Sequence, residues 1–197
     1  MKVSKEQMAE NRERILNAAA QLFREKGFDG IGVADLMKSA GLTHGGFYGH
    51  FASKDELMAQ ASARALHRLQ TAWATIARDA VDKGQDPLAA IEAAYLSPRH
   101  RDAPGQGCLL AALGGDAARQ GPAVRHAVTE GVRAQLEGLA TLVPGRTKAA
   151  KRQRALADYA NLVGAMVLAR AVDDEELSNE ILNATAASLR LPEPVPR

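Results

Sequence analysis

The residues with the clearest chemical potential lie between Val33 and Lys54, in the run VADLMKSAGLTHGGFYGHFASK. Its polar members Thr43, His44, Tyr48, His50 and Lys54 supply a hydroxyl, two imidazoles, a phenol and an ammonium. All of these donate hydrogen bonds to phosphate oxygens. No acid interrupts them between Asp35 and Asp55. Gly45, Gly46 and Gly49 are interleaved with the donors and would let the backbone come close to a groove, at a cost of about 1 kcal/mol each in helix propensity. A segment this short and rich in glycine is not built for its own stability. Donors without acids, on a thin backbone, are the chemistry of contact with a polyanion.

Helices must position that block. Ile15, Ala18, Ala19, Leu22 and Phe23 fall on one face of a helix expected from about Lys5 to Lys26, with Gly27 ending it. Val33, Leu36, Met37 and Ala40 predict a second, short helix closed by Gly41, and Thr43 offers an N-cap for a third, roughly His44 to His50. Two short helices joined through a glycine-bearing turn match the helix-turn-helix pattern. Val33, Leu36, Met37, Ala40, Leu42, Phe47 and Phe51 are the apolar residues such a unit needs to lock together. Tyr48 is expected to face outward, because His44 and His50, its neighbours at i−4 and i+2, are polar. Taken alone, the two histidines would be ordinary surface residues. Their separation of six is not the i, i+4 spacing of a helical metal pair, and no metal or cofactor is expected.

Beyond this block the chain reads as helix throughout. Ser53 and Glu56 predict a capping box opening a long helix with a buried stripe of Leu66, Leu69, Trp73, Ile76 and Ala80, ending at Lys83–Gly84. Asp86–Pro87 opens another, ending near Ser97–Pro98. A loop is expected from Arg99 to Gly107, then helices at about Cys108–Arg119, Pro122–Leu142, Thr147–Val172 and Asp174–Leu191. Residues 192–197 hold three prolines in six and are expected to be a disordered tail. No segment alternates with period two for long enough to predict a strand, so the fold class is all-α.

Composition agrees. Of 197 residues, 46% are hydrophobic and only 4% aromatic, which suits a globular protein of closely packed helices. A net charge of +2 is too small for a protein that coats nucleic acid, yet it leaves room for a local basic face. One cysteine excludes an intramolecular disulfide. The opening MKVSKEQMAENRER lacks the apolar core of a signal peptide. Ala155 to Val172, the most apolar stretch, contains Asp158, Asn161 and Arg170 and is too short and polar to span a membrane. A cytoplasmic protein with no membrane partner is expected.

The run GLTHGGFYGHFASKDEL, preceded by FREKGFDGIGVADLMKSA, resembles the recognition-helix signature of TetR-family bacterial repressors, over about residues 10 to 58. The resemblance implies a three-helix DNA-binding domain over 1–52 and a larger helical domain over 53–191 for ligand binding and dimerisation. It also implies that Thr43, Tyr48, His50 and Lys54 hold phosphates while His44, Gly45 and Gly46 face base edges in the major groove. Gly32 departs from the family, which commonly places Ser or Thr there. The implied partners are double-stranded operator DNA, a second copy of the chain and a small-molecule effector, largely apolar or electrophilic, that releases the repressor from a palindrome. The helix over Ala155–Val172 is apolar nearly all round, and one of its faces, with the stripe Leu177, Ile181, Ala184 and Leu189, is expected to meet the second copy.

Trp73, Tyr95, Leu110, Tyr159 and Met166 are candidates to line the effector pocket, and each also reads as ordinary core. Cys108 sits where a helix is expected to begin, which favours a reactive thiolate, and its surroundings are similar to those of electrophile-sensing relatives. The reading favoured for it is a small buried residue, which is what free cysteine usually is. Enzymatic function finds no support: the five histidines form no HExxH pair and the cysteine has no evident catalytic partner. An interaction module that keeps the motif but has lost DNA is the other reading, and salt dependence separates the two.

Overall fold

The computed structural model describes residues 4–189, all its regular elements being helical. Residues 1–3 and 190–197, including the tail expected from Pro192, lie outside the described residues. The elements are α1 (Lys5–Lys26), α2 (Val33–Ser39), a 3-10 helix (His44–Gly49), α3 (Lys54–Asp82), α4 (Pro87–Tyr95) and α5 (Pro98–Asp102). There follow a 3-10 turn (Pro104–Gln106), α6 (Leu109–Ala117), α7 (Pro122–Leu142), α8 (Lys148–Ala171) and α9 (Glu175–Leu189).

Most starts are fixed by the side chain that the sequence places there. Ser4 accepts from the Gln7 amide at 3.1 Å, Asp86 from Leu88 and Ala89 at 2.8 and 3.2 Å, and Thr147 from Ala150 at 3.1 Å. At α3, Ser53 Oγ accepts from the Glu56 amide at 3.1 Å, while the Glu56 carboxylate accepts from Ala52 at 2.7 Å, one residue earlier than a standard capping box.

Two expectations are corrected. Residues 99–107 are not a plain loop: Ser97 caps α5 by accepting from the His100 amide at 3.2 Å, and the 3-10 turn follows. The third helix is 3-10 rather than α and ends at Gly49, and Thr43 stands at its N-cap without a side-chain hydrogen bond. Three glycines in six residues leave too little helical propensity for a full α turn, and 3-10 hydrogen bonding is the form short helices take.

The chain divides into two compact units, one of residues up to Leu69 with Pro104–Arg133, the other of Gln70–Ala103 with the chain from Ala134 onward. In the first, a single hydrophobic core joins Ile15, Ala19 and Phe23 of α1, Leu36 and Met37 of α2, Phe47, Phe51 and Leu57, and extends to Leu109, Leu113 and Val124. Arg24, 7% exposed, sends its guanidinium to the Gly105 carbonyl, with Nε at 3.1 Å. Arg64 bridges Glu13 and Asn17 of α1 at 2.6 and 2.8 Å. Gly41, at the turn of the motif, has φ +71°. A side chain rarely adopts that conformation, so glycine is required there.

In the second unit Trp73 stands edge-on to Tyr95 and Tyr159, with centroids 5.8 and 5.9 Å away. Asp158, 2% exposed, accepts from Arg154 Nε at 2.8 and 2.9 Å, so this buried charge is paired. His100 donates from Nδ1 to the Tyr95 carbonyl at 2.7 Å and is crossed by the Tyr95 ring. Burial lowers its pKa from the ordinary 6.5; the Tyr95 bond opposes this and Arg170 adds to it.

Two outcomes follow for stability. Replacing Gly41 by Ala should lower unfolding free energy by about 1–2 kcal/mol in urea titrations, because the left-handed backbone becomes strained. The folded chain binds a proton at His100 less readily than the unfolded chain. This contribution is therefore present above pH 6.5 and lost as pH falls. Between about pH 7.5 and about pH 5, His100→Gln should lose less melting temperature than the parent.

Candidate nucleic-acid interface and effector cavity

The 3-10 helix does not hold itself in place. Phe47 and Phe51 are buried to 1% and 2% exposure, stacked at 5.8 Å, with the Arg12 guanidinium 4.6 Å above the Phe51 ring. Arg12 also donates to Gln60 of α3 at 2.6 Å. These anchors face one side of the segment into the core. The other side carries Thr43, His44, Gly45, Gly46 and Tyr48, all exposed, with His50 and Lys54 half-buried at its end. Tyr48 is the most exposed large hydrophobic residue among the described residues at 72%, its ring set edge-on against Phe47. Tyr48 thus points outward and Phe47 inward, and the seven residues singled out from the sequence lie along one short stretch of surface.

The glycines of this stretch are unexplained by the fold itself. None of Gly45, Gly46 and Gly49 has positive φ. A Cβ at Gly45 would meet nothing within 4 Å, and at Gly46 and Gly49 only ordinary contacts at 3.7 and 4.0 Å. The protein interior would tolerate alanine at all three. The exposed donors, the absence of acids and the thin backbone are therefore properties of the outer face. Gly32, the departure from the family pattern, is the N-cap of α2 and leaves that helix without a side-chain cap.

The expected pocket residues fall in both units. Leu110 belongs to the first unit, where it packs on the N-terminal core, because α6 joins that core. Tyr95, Tyr159 and Met166 are buried in the second unit, the tyrosines backing Trp73. Trp73 alone of the five lines a cavity of about 190 Å³, together with Ile91, Gln135, Gly138, Leu139 and Leu142. No lining residue is charged. Gln135 is 2% exposed, and its Nε2 has no hydrogen-bond partner among the described residues. Such an orphaned buried amide calls for a reason. The sequence signal for it was a glutamine on the face of α7 that also carries Leu139 and Leu142, a polar residue on an otherwise apolar stripe. Cys108 is the N-cap of α6 and is fully buried, so no electrophile reaches it without an opening of the fold. Among the described residues no three His, Cys, Asp or Glu side chains converge to hold a metal. No helix among them is long and apolar enough to cross a membrane.

The model of the family described as "Bacterial regulatory proteins, tetR family" matches residues 15–61, which contain the second half of α1, α2, the 3-10 helix and the first turns of α3. The HTH-type transcriptional repressor KstR2 of Mycobacterium tuberculosis is 31% identical over 91 residues, 46% of this chain and 44% of that protein. The HTH-type transcriptional repressor DhaR of Mycobacterium sp. is 29% identical over 99 residues, 50% of this chain and 48% of that protein. The matches thus span about half the length of these relatives. Among solved structures, the reduced form of NemR from E. coli shares the fold with a TM-score of 0.75 at 22% identity, covering 91% of this chain and 96% of that one. A TetR-family regulator from Agrobacterium tumefaciens has a TM-score of 0.73 at 21% identity, covering 92% and 98%. The N-terminal region thus matches the model of the TetR family of bacterial regulatory proteins, and the helical fold is shared with these solved structures.

Proposed function

We propose that the chain is a cytoplasmic, ligand-responsive transcriptional repressor that binds a palindromic operator as a two-fold dimer. The observation that carries this reading is the outer face of the 3-10 helix: exposed donors, no acid, and glycines that the fold does not need. Thr43, Tyr48, His50 and Lys54 hold phosphates, and His44, Gly45 and Gly46 meet base edges where the backbone enters the major groove. Residues 1–52 act as the reader and 53–191 as the sensing and pairing body. Two readers about 34–36 Å apart meet successive major grooves on one side of the duplex. Pairing uses α8 and α9, which expose Leu156, Val167, Leu168 and Leu177. Leu189, expected in that stripe, is 6% exposed within its own chain and is not part of it.

The effector occupies the Trp73 cavity. A charged ligand would lose its hydration there with no opposite charge among the lining residues, which excludes it. A small, neutral, largely apolar molecule with one hydrogen-bonding group meets both the walls and the Gln135 amide. Burial of Cys108 favours this non-covalent route over thiol modification. Ligand binding biases the fold toward a state whose readers no longer match the operator.

Selection from random duplexes at low ionic strength should return a palindrome, and failure to bind any duplex would remove the proposal. On that operator Lys54→Ala should weaken binding for all sequences and reduce the salt slope by about one. His44→Ala should relax base preference. Gly45→Ala should keep or raise thermal stability while costing about 1–3 kcal/mol of operator affinity, a separation that calorimetry and fluorescence anisotropy read independently.

Trp73 is the only tryptophan, so its emission reports on the cavity directly. Acetophenone should perturb it more than ethylbenzene, and benzoate should not perturb it. Gln135→Leu should abolish the preference for acetophenone. Gly138→Leu should weaken both neutral probes, since a side chain there meets nothing in the protein and fills the cavity. A quinone should release Cys108→Ser and parent from DNA to the same extent.

A further inference from the structure

The link from His50 to Ser53 joins the 3-10 helix to α3. His50, at its start, and Lys54, the first residue of α3, are two of the donors assigned to phosphates above. Every residue of the link is held. The His50 and Phe51 amides donate to the Phe47 carbonyl at 2.9 and 3.0 Å. The Ala52 amide donates to Glu56 Oε2 at 2.7 Å, and Ser53 Oγ accepts from the Glu56 amide at 3.1 Å. The Phe51 ring lies under the Arg12 guanidinium, its centroid 4.6 Å away. Arg12 also reaches the link by a second route. Its Nη2 donates to Gln60 Oε1 at 2.6 Å, and Gln60 Nε2 donates to Glu56 Oε1 at 2.7 Å. Glu56 is the carboxylate that receives the Ala52 amide, and Arg12 Nη2 stands 3.8 Å from it. One guanidinium on α1 thus holds the link directly at Phe51 and, through Gln60 and Glu56, at Ala52. A planar fork can stack by its face and donate by its edge at once, which an ammonium cannot.

Resting on the DNA reading above, we infer that Arg12 is a positioning residue for duplex binding. It fixes the spacing of His50 and Lys54 from behind, through the link, and does not itself hold a phosphate. Contacts to the phosphate backbone set the register of a protein on the duplex. Two donors that meet one stiff strand act together only when the chain between them is already ordered, because ordering it on binding subtracts from the affinity. A short link without helical hydrogen bonds of its own does not supply that order. Arg64 offers the contrast. It ties the same two helices by bonding Glu13 and Asn17 at 2.6 and 2.8 Å, yet it bonds no residue of the link.

The experiment reads phosphate contact and stability separately. Phosphate contacts are independent of sequence, so the probe is a fluorescein-labelled duplex of mixed sequence, titrated by anisotropy at increasing salt. Melting is followed by circular dichroism. Arg12→Met keeps the stem and removes the fork. It should weaken binding about ten-fold at low salt and lower the salt slope by about one, because the Lys54 ammonium no longer meets its phosphate. Combined with Lys54→Ala, it should cost little more than the larger single change. Gln60→Leu leaves Arg12 on the ring but cuts the relay to Glu56, and should show the same non-additivity at smaller size. Arg12→Lys should recover only part of the lost affinity. Arg64→Met should lower the melting temperature and leave the slope unchanged. The positioning role is overturned, with DNA binding by the parent still standing, by any of four results: losses that add with Lys54→Ala, a slope that Arg12→Met leaves unchanged, full recovery by Arg12→Lys, or an equal change of slope in Arg64→Met. A parent chain that binds no duplex at low salt overturns the DNA reading and the positioning role with it.

Discussion

The 3-10 segment between α2 and α3 depends on two phenylalanines. A six-residue 3-10 helix with three glycines has too few hydrogen bonds and too little propensity to persist in water. Phe47 and Phe51 supply what it lacks, each burying nearly its whole ring in the core of the first unit. Fully burying such a side chain contributes about 1.5–3 kcal/mol, more than the glycines cost. Arg12 caps the arrangement by lying over Phe51 while bonding to α3, so α1 and α3 both brace the segment. The outer face is thereby freed from any structural duty. Its residues can be chosen for contact alone, which is why small residues persist where the fold has room for larger ones.

That division of labour explains what was legible in the sequence. α1 and α7 begin and end at the residues that periodicity and punctuation indicated, because their apolar stripes are long. The inward Phe47 and outward Tyr48 were readable from the polarity of their neighbours. The 3-10 form of the third helix was not, since the same residues satisfy either hydrogen-bonding pattern and the choice lies in glycine content. Residues 99–107 were misread as a loop because proline, glycine and charge dominate them, yet Pro98 after a capping Ser97 is also a helix start. Local signals cannot say which distant segments share a core. Nothing near Leu109 or Leu113 tells that they pack with α1, or that Leu110 packs against that same core. Gln135 was hidden for the same reason: its polarity is unremarkable until the cavity around it is known to be apolar.

Charge shows the same contrast between total and arrangement. The net of +2 describes no region of the molecule well. From Leu36 to Lys54 there are cations and no acids. Residues 146–154 hold five Lys and Arg without an acid, and residues 173–180 hold five acids without a cation. Cations in the first turns of α8 work against the helix dipole, which favours negative charge there. Their placement costs helix stability at that end.

Segregation of this kind has a consequence for how DNA binding responds to ions. Phosphate contacts weaken with salt through counterion release, so the slope of affinity against salt counts them. An interface between copies in which opposite charges meet also weakens with salt, through screening over a Debye length of about 8–10 Å. If only the dimer spans a palindrome, both losses enter a titration made at low protein concentration, and the slope exceeds the number of phosphates held. At concentrations well above the dimer dissociation constant the second loss disappears from the titration. The difference between the two slopes then isolates the ionic part of pairing from the ionic part of operator recognition.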